Sequence, residues 1–191
     1  MKNELKIIIV VFVGFVAMLW IAKPLRELLV NYSISELDAR LMAGIFTRLL
    51  IVSIAIWIIR KLDLKLYNGL NKGQNTKNLY AIGIPSVFII FGIISNWNIY
   101  IKTENYVLLL FIFSVIIIGI AEEFIFRGII QPLFIKYFKS QQKVLYLSVI
   151  ITALIFGLIH YVNILKEPDN FSGITHQVFF AISIGVFFGG L

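Results

Sequence analysis

Residues 106–135 read YVLLLFIFSVIIIGIAEEFIFRGIIQPLFI, a run of thirty in which only Glu122, Glu123 and Arg127 carry charge. A helix of about 20 mostly apolar residues crosses a bilayer core, so this run is long enough with turns to spare. It lacks the alternation of a barrel strand and is apolar on every face, which makes it a membrane helix. As one straight helix it would extend about 45 Å, so it must tilt, kink or protrude. Pro132 supplies a place to kink, because it has no amide proton and its ring crowds the carbonyl of Gly128.

Five further apolar blocks flank it, approximately Leu5–Ala22, Leu41–Ile59, Leu79–Ser95, Val144–Val162 and Ile174–Leu191. The composition agrees. Of 191 residues, 60% are hydrophobic and 14% charged, and the mean hydropathy is +0.94. Soluble domains run at roughly 45–50% apolar and about 25% charged. A soluble globular chain is therefore excluded, and a disordered one more firmly. The absence of Cys removes disulfides, a thiolate nucleophile and Cys-ligated metals from consideration. The fold class that follows is all-α, a polytopic transmembrane bundle of about six helices. It divides into residues 1–105, the first three helices with a polar loop, and residues 106–191, which hold Glu122, Glu123, Arg127 and His160.

The first block is an uncleaved span: its apolar run is long, and no small-x-small cleavage site precedes Lys23-Pro24. Basic residues set the orientation. With the amino terminus cytoplasmic, Lys2, Lys6, Arg60, Lys61, Lys65, Lys72, Lys77, Lys136, Lys139 and Lys143 lie inside, which is ten. Lys23, Arg26, Arg40, Lys102 and Lys166 lie outside, which is five. The net charge of +7 thus reads as a topology signal, not as a nucleic-acid surface. Trp20, Trp57, Trp97, Tyr80, Tyr100 and Tyr106 sit near block ends, as interfacial aromatics do. The polar stretch Arg60–Asn78 reads as a flexible cytoplasmic loop.

Charge inside a membrane helix costs about 2.5–3.5 kcal/mol on insertion scales, so intramembrane ionisable residues are functional suspects. Glu122 and Glu123 are adjacent, and two neighbouring carboxylates in a low dielectric cannot both ionise cheaply. Helix geometry separates them. Glu123 and Arg127 are four apart and share a face, with Gln131 continuing the stripe. Glu122 points about 100° away, on the face of Phe126, without an obvious local cation. The next block carries Phe156-Gly-Leu-Ile-His160, with Thr152 one turn earlier. The short basic connection Lys136–Lys143 makes these two blocks antiparallel neighbours. Glu122 lies fourteen residues before Lys136 and His160 seventeen after Lys143. Those spacings are about 21 Å and 26 Å of helix, so the two side chains reach similar depth. Glu122, the Glu123–Arg127 pair and His160 are therefore expected to converge in one intramembrane pocket, the equipment for activating a water by general base catalysis.

Plainer readings compete for several residues. Glu123 with Arg127 also serves as a structural ion pair. Arg48, mid-span in the second block, either pairs with a carboxylate or snorkels to the headgroups. His176 reads as interfacial, and Glu167 and Asp169 as solvated. Gly185-Val-Phe-Phe-Gly189 is a small-xxx-small pattern suited to close helix packing.

With these residues in view, the sequence resembles the CPBP family of intramembrane proteases. That group includes type II CAAX prenyl endopeptidases and bacterial proteins of bacteriocin self-immunity. The family's Glu-Glu-x-x-x-Arg motif is matched by Glu122, Glu123 and Arg127, with Gly128 following. Its Phe-x-x-x-His motif is matched by Phe156 and His160, and its Gly-x-x-x-Gly helix by Gly185 and Gly189. The resemblance covers about Tyr106–Leu191 and implies an endopeptidase whose site is recessed in the membrane. It implies Glu122 as the base activating water, assisted by His160, with Glu123 and Arg127 holding it in position. It also implies a divalent metal such as zinc as a candidate cofactor, with Glu122, Glu123 and His160 as candidate ligands; a metal-free, glutamate-activated water is an equal alternative.

The resemblance carries a later motif too, His-x-x-x-Asn or His-x-x-x-Asp, beyond the glycine helix. The sequence to Leu191 does not contain it, so the expected protease core is incomplete at its carboxyl end and the activity of the 191-residue chain stays open. Two functions are therefore carried forward. One is hydrolysis of a membrane-associated peptide or protein. The other is a non-catalytic membrane protein conferring bacteriocin immunity or scaffolding a sensor kinase. Either places the chain in the plasma membrane, with a compositional bias toward an AT-rich bacterial genome.

Overall fold

The computed structural model describes residues 3–67, 90, 92–165 and 167–189. Its elements are α1 (Asn3–Asn31), α2 (Glu36–Lys61), α3 (Trp97–Tyr100), α4 (Asn105–Ile125), a π-helical turn (Phe126–Ile130), α5 (Gln131–Tyr137), α6 (Val144–Leu158), 3-10 turns at Ile159–Leu165 and Pro168–Asn170, and α7 (Phe171–Gly189). Among the described residues there is no strand, and five helical stretches are long and apolar enough to cross a membrane. The chain is an all-α, polytopic membrane bundle. The expected block Leu79–Ser95 lies largely outside the described residues, as does most of the loop Arg60–Asn78.

The outer surface confirms the solvent. Val10 of α1, Phe46 of α2, Leu109 of α4 and Phe179 of α7 are each more than 60% exposed, at 70%, 61%, 68% and 65%. Soluble proteins rarely expose apolar side chains on this scale; lipid tails accept them. The interior is small by comparison, and it centres on Phe126, Ile129 and Ile130 of the π-turn, packed against Phe15, Ile51, Ala55 and Phe156.

The decisive stretch leaves α-helical geometry in the turn just before Pro132. Helix α4 runs into the π-turn, in which the Gln131 amide donates to the Phe126 carbonyl five residues back. One extra residue per turn relieves the clash between the proline ring and the preceding turn, so the helix continues as α5 instead of stopping.

One expectation fails at the first span. Its end was expected near Lys23-Pro24, but α1 continues through Pro24 to Asn31. A proline forfeits one backbone hydrogen bond and bends a helix without ending it when packing supports both sides. Lys23 and Arg26 therefore ride on the last turns of a helix, not in a loop. The true connection is short, and it is fixed by Ser35, whose hydroxyl oxygen accepts from the Asp38 amide at 3.1 Å and caps α2. Tyr106 at the start of α4 donates its hydroxyl to the same Asp38 carboxylate at 3.2 Å. Helix ends thus gather on one side of the bundle. On the other side, Lys136 Nζ donates to the Leu62 carbonyl at 3.1 Å, tying α5 to the end of α2.

Helices α6 and α7 pack through glycine. A methyl group on Gly157 would meet the Val178 carbonyl oxygen at 2.9 Å and collide with Ile182. One on Gly185 would meet the Ala153 methyl at 2.9 Å, and one on Gly189 would meet Val149 at 3.0 Å. The small-xxx-small face is occupied by α6 of the same chain, as close packing predicts.

Candidate active site

A cavity of about 850 Å³ opens between α1, α2, α4 and the turn after α6. Glu122 and His160 both line it, as do Phe126 and Phe15. Glu122 enters because the α4 stripe that includes Ser114, Ile118 and Ala121 repeats at three- and four-residue intervals and faces the cavity. It sits about 26 Å of helix from the start of α4 at Asn105, deep in the span. His160 enters from the first 3-10 turn, where α6 tightens after Leu158. Of the expected pocket, Glu122 and His160 come to one cavity, whereas Glu123 and Arg127, expected there too, do not line it because the helix phase turns them to another face.

Glu123 takes the other side. Its carboxylate pairs with Arg127 at 2.9 Å, and its side chain is 56% exposed against 17% for Arg127. Neither residue lines the cavity. Arg127 still reaches the site indirectly. Its guanidinium lies 5.1 Å from the centre of the Phe156 ring, and the Phe156 ring packs edge-on to Phe126 at 5.0 Å and to His160 at 5.5 Å. A guanidinium over an aromatic face is attracted by the ring quadrupole. The two sequence motifs are therefore joined through one ring: Arg127 holds Phe156, and Phe156 backs His160. Gln131 reaches the glycine helix, donating to the Gly189 carbonyl at 3.5 Å. His176 is exposed on α7.

Sequence reasoning did not place Arg48 in the site, and the fold does. Arg48 of α2 lines the same cavity as Glu122 and His160, and the Arg48 and Glu122 charges act on one another there. Its guanidinium also donates to the Gly44 carbonyl at 3.5 Å, one turn back. The signal was available: Arg48 lies thirteen residues before Lys61, about 20 Å of helix, which is the depth of Glu122 measured from Lys136.

The arrangement offers one carboxylate and one imidazole, with the Arg48 guanidinium on the same cavity, around a space roomy enough for water and an extended peptide. It does not gather a metal site. Among the described residues no three His, Asp or Glu side chains are grouped to hold an ion, whereas protein zinc sites use at least three ligands. Of the candidate ligands, Glu123 points away to Arg127.

Residues 103–191 match the family model described as type II CAAX prenyl endopeptidase, Rce1-like. Over this segment, which is less than half of the chain, the sequence is similar to that family. The match holds α4 through α7, and with them Glu122, Phe156 and His160; α1 and α2, which supply Phe15 and Arg48, lie outside it. No curated protein and no solved structure is significantly similar to the chain.

Proposed function

We propose that the chain is an intramembrane endopeptidase that hydrolyses a peptide bond of a membrane-associated peptide or protein. The observation that carries this reading is that Glu122 of α4 and His160 of the turn after α6 line one cavity. The family of residues 103–191 supports the same kind of chemistry.

The chemistry follows from the groups present. The Glu122 carboxylate accepts a proton from a water molecule as the water oxygen attacks the peptide carbonyl carbon. His160 hydrogen-bonds that water or the developing oxyanion and orients it. The tetrahedral intermediate collapses by breaking the carbon–nitrogen bond, and Glu122 returns its proton to the leaving amine. The products are a new carboxyl terminus and a new amino terminus. Arg48 provides the counter-charge near the carboxylate and, later, near the oxyanion, where a preorganised cation in a dry site acts strongly. Arg127 and Glu123 are positioning residues, acting on His160 through Phe156.

The site reading is tested by Glu122→Gln and His160→Ala in membranes. Both proteins are expected to insert and fold while cleavage is lost. Undiminished cleavage by Glu122→Gln would remove Glu122 from the role of base. The scaffolding alternative predicts instead that both substitutions leave the phenotype intact. The glycine face of α7 is filled by α6, so a partner would have to dock elsewhere. A plasma-membrane location in a bacterium fits the multi-pass architecture, and bacteriocin immunity remains a biological setting compatible with the chemistry.

A further inference from the structure

A peptide bond that water can reach has left helical hydrogen bonding, so the chain around it carries unpaired N–H and C=O groups. In a cavity within a membrane bundle those groups are unfavourable to bury without partners. Much of the wall offers none, with Phe15, Leu19, Phe111 and Val115 among its residues. Two side-chain amides do line the cavity, Asn163 of the first 3-10 turn and Gln177 of α7. Asn163 Nδ2 donates to Gln177 Oε1 at 3.3 Å. That bond leaves Asn163 Oδ1 as an acceptor and Gln177 Nε2 as a donor, and neither has another partner among the described residues. Exchanging oxygen and nitrogen in both amides changes nothing, because one acceptor and one donor again stay free. The pair thus presents what the edge of a β-strand presents, an acceptor beside a donor. The turn sets its place. His160 and Asn163 both belong to Ile159–Leu165 and both line the cavity. Residues three apart eclipse one another in a 3-10 helix, so Asn163 stands about 6 Å along the turn from His160. The direction is toward Leu165, which is exposed.

We propose that Asn163 and Gln177 form a backbone-binding edge that pairs with the N–H and C=O of an extended peptide about two residues from the bond presented to Glu122. The proposal deepens the protease reading and rests on it for the position of the cut. Hydrogen bonds to main-chain groups give affinity without reading side chains, so the edge holds peptides of differing sequence in one register. Neither amide belongs to the Glu-Glu-x-x-x-Arg or the Phe-x-x-x-His pattern. Gln177 gives α7 a part in the site beyond its packing on α6. Both side chains touch the ligand away from the reacting bond, so their loss weakens binding and leaves the proton transfers of Glu122 in place.

Binding is read separately from turnover, so failure of this proposal and failure of the protease reading give different results. The full chain with Glu122→Gln is placed in phosphatidylcholine nanodiscs, with empty nanodiscs as the partition control. Two dye-labelled, end-capped alanine–leucine chains are titrated, one with amide links and one in which esters replace every amide. The esters keep the side chains and the chain's planar links, but they remove each N–H donor and weaken each carbonyl acceptor. The amide chain is expected to bind about tenfold more tightly, the scale of two neutral hydrogen bonds. That preference is expected to vanish when Asn163→Leu and Gln177→Met are combined. It is expected to survive Thr175→Val, on α7 but outside the cavity lining. Equal affinity of the Glu122→Gln protein for the two chains overturns the proposal. A preference that persists in the double variant, even if both chains bind less tightly, overturns it too and leaves the pair as a tie between the turn and α7. An amide preference that depends on the pair, beside a wild type that cuts no peptide, upholds the edge while the protease reading fails. Should the double variant not fold, Gln177→Met alone, at an exposed position, is expected to lower the preference about threefold, and an unchanged preference there counts against the edge.

Discussion

At the scale of single residues, the two adjacent glutamates do different work because a helix turns about 100° between them. Glu122 faces the cavity, and Glu123 faces Arg127 on the outside of the described bundle. Glu122→Gln is expected to lower cleavage by about 10²–10⁴-fold, the contribution of a positioned general base, with insertion unchanged. Single-turnover cleavage beside a folding assay in detergent checks both halves of that statement. Arg127→Ala has a different signature. It removes a guanidinium from the Phe156 ring, a contact of about 0.5–2 kcal/mol, and frees the ring that backs His160. A lower kcat is expected with little change in KM, and Arg127→Lys should restore part of it by keeping the cation. Equal losses in kcat for Lys and Ala would show that charge over the ring is not what matters. The Glu123–Arg127 pair was legible from helix phase, and the shared depth of Glu122 and His160 from the lengths of their helices. Arg48 was legible by the same arithmetic but not assigned, because a lone arginine mid-span admits snorkelling, and only the packing of α2 on α4 shows which way it faces.

At the scale of elements, glycine and proline explain where helices touch and bend. Gly157→Ala is expected to destabilise the protein by about 1–3 kcal/mol, because the added methyl has no room between Val178 and Ile182. Gly119 is the internal control, with nothing within 4 Å of a methyl placed there. Gly119→Ala should be neutral or stabilising by about 0.5–1 kcal/mol through helix propensity alone. Denaturant melts of the two variants in detergent distinguish packing from propensity. The sequence showed these elements unevenly. A break in regular helix beside Pro132 was visible because a proline in a thirty-residue apolar run leaves few alternatives, and it takes the form of the π-helical turn. The passage of α1 through Pro24 was not, because Lys23-Pro24 reads as an end unless the packing that supports the following turns is known.

At the scale of the whole molecule, composition alone fixed an all-α membrane bundle, since lipid leaves helices and closed barrels as the spanning options. Orientation follows from the ten-to-five distribution of basic residues and has a simple check. The chain has no Cys, so single cysteines can be introduced without background. With the amino terminus cytoplasmic, Ser33→Cys should react with an impermeant maleimide on intact cells, and Ser140→Cys only after permeabilisation. Both residues are exposed. The reverse pattern would invert the bundle and open the cavity mouth to the cytoplasm.

The central claim is that Glu122 activates water to cut a peptide bond. The most direct measurement incubates the purified protein, reconstituted in liposomes with a membrane-peptide extract, in ¹⁸O-labelled water and reads new termini by mass spectrometry. New carboxyl termini carrying one labelled oxygen are predicted with the wild type and their absence with Glu122→Gln. The same labelled termini from both proteins, or none from the wild type, would contradict the account.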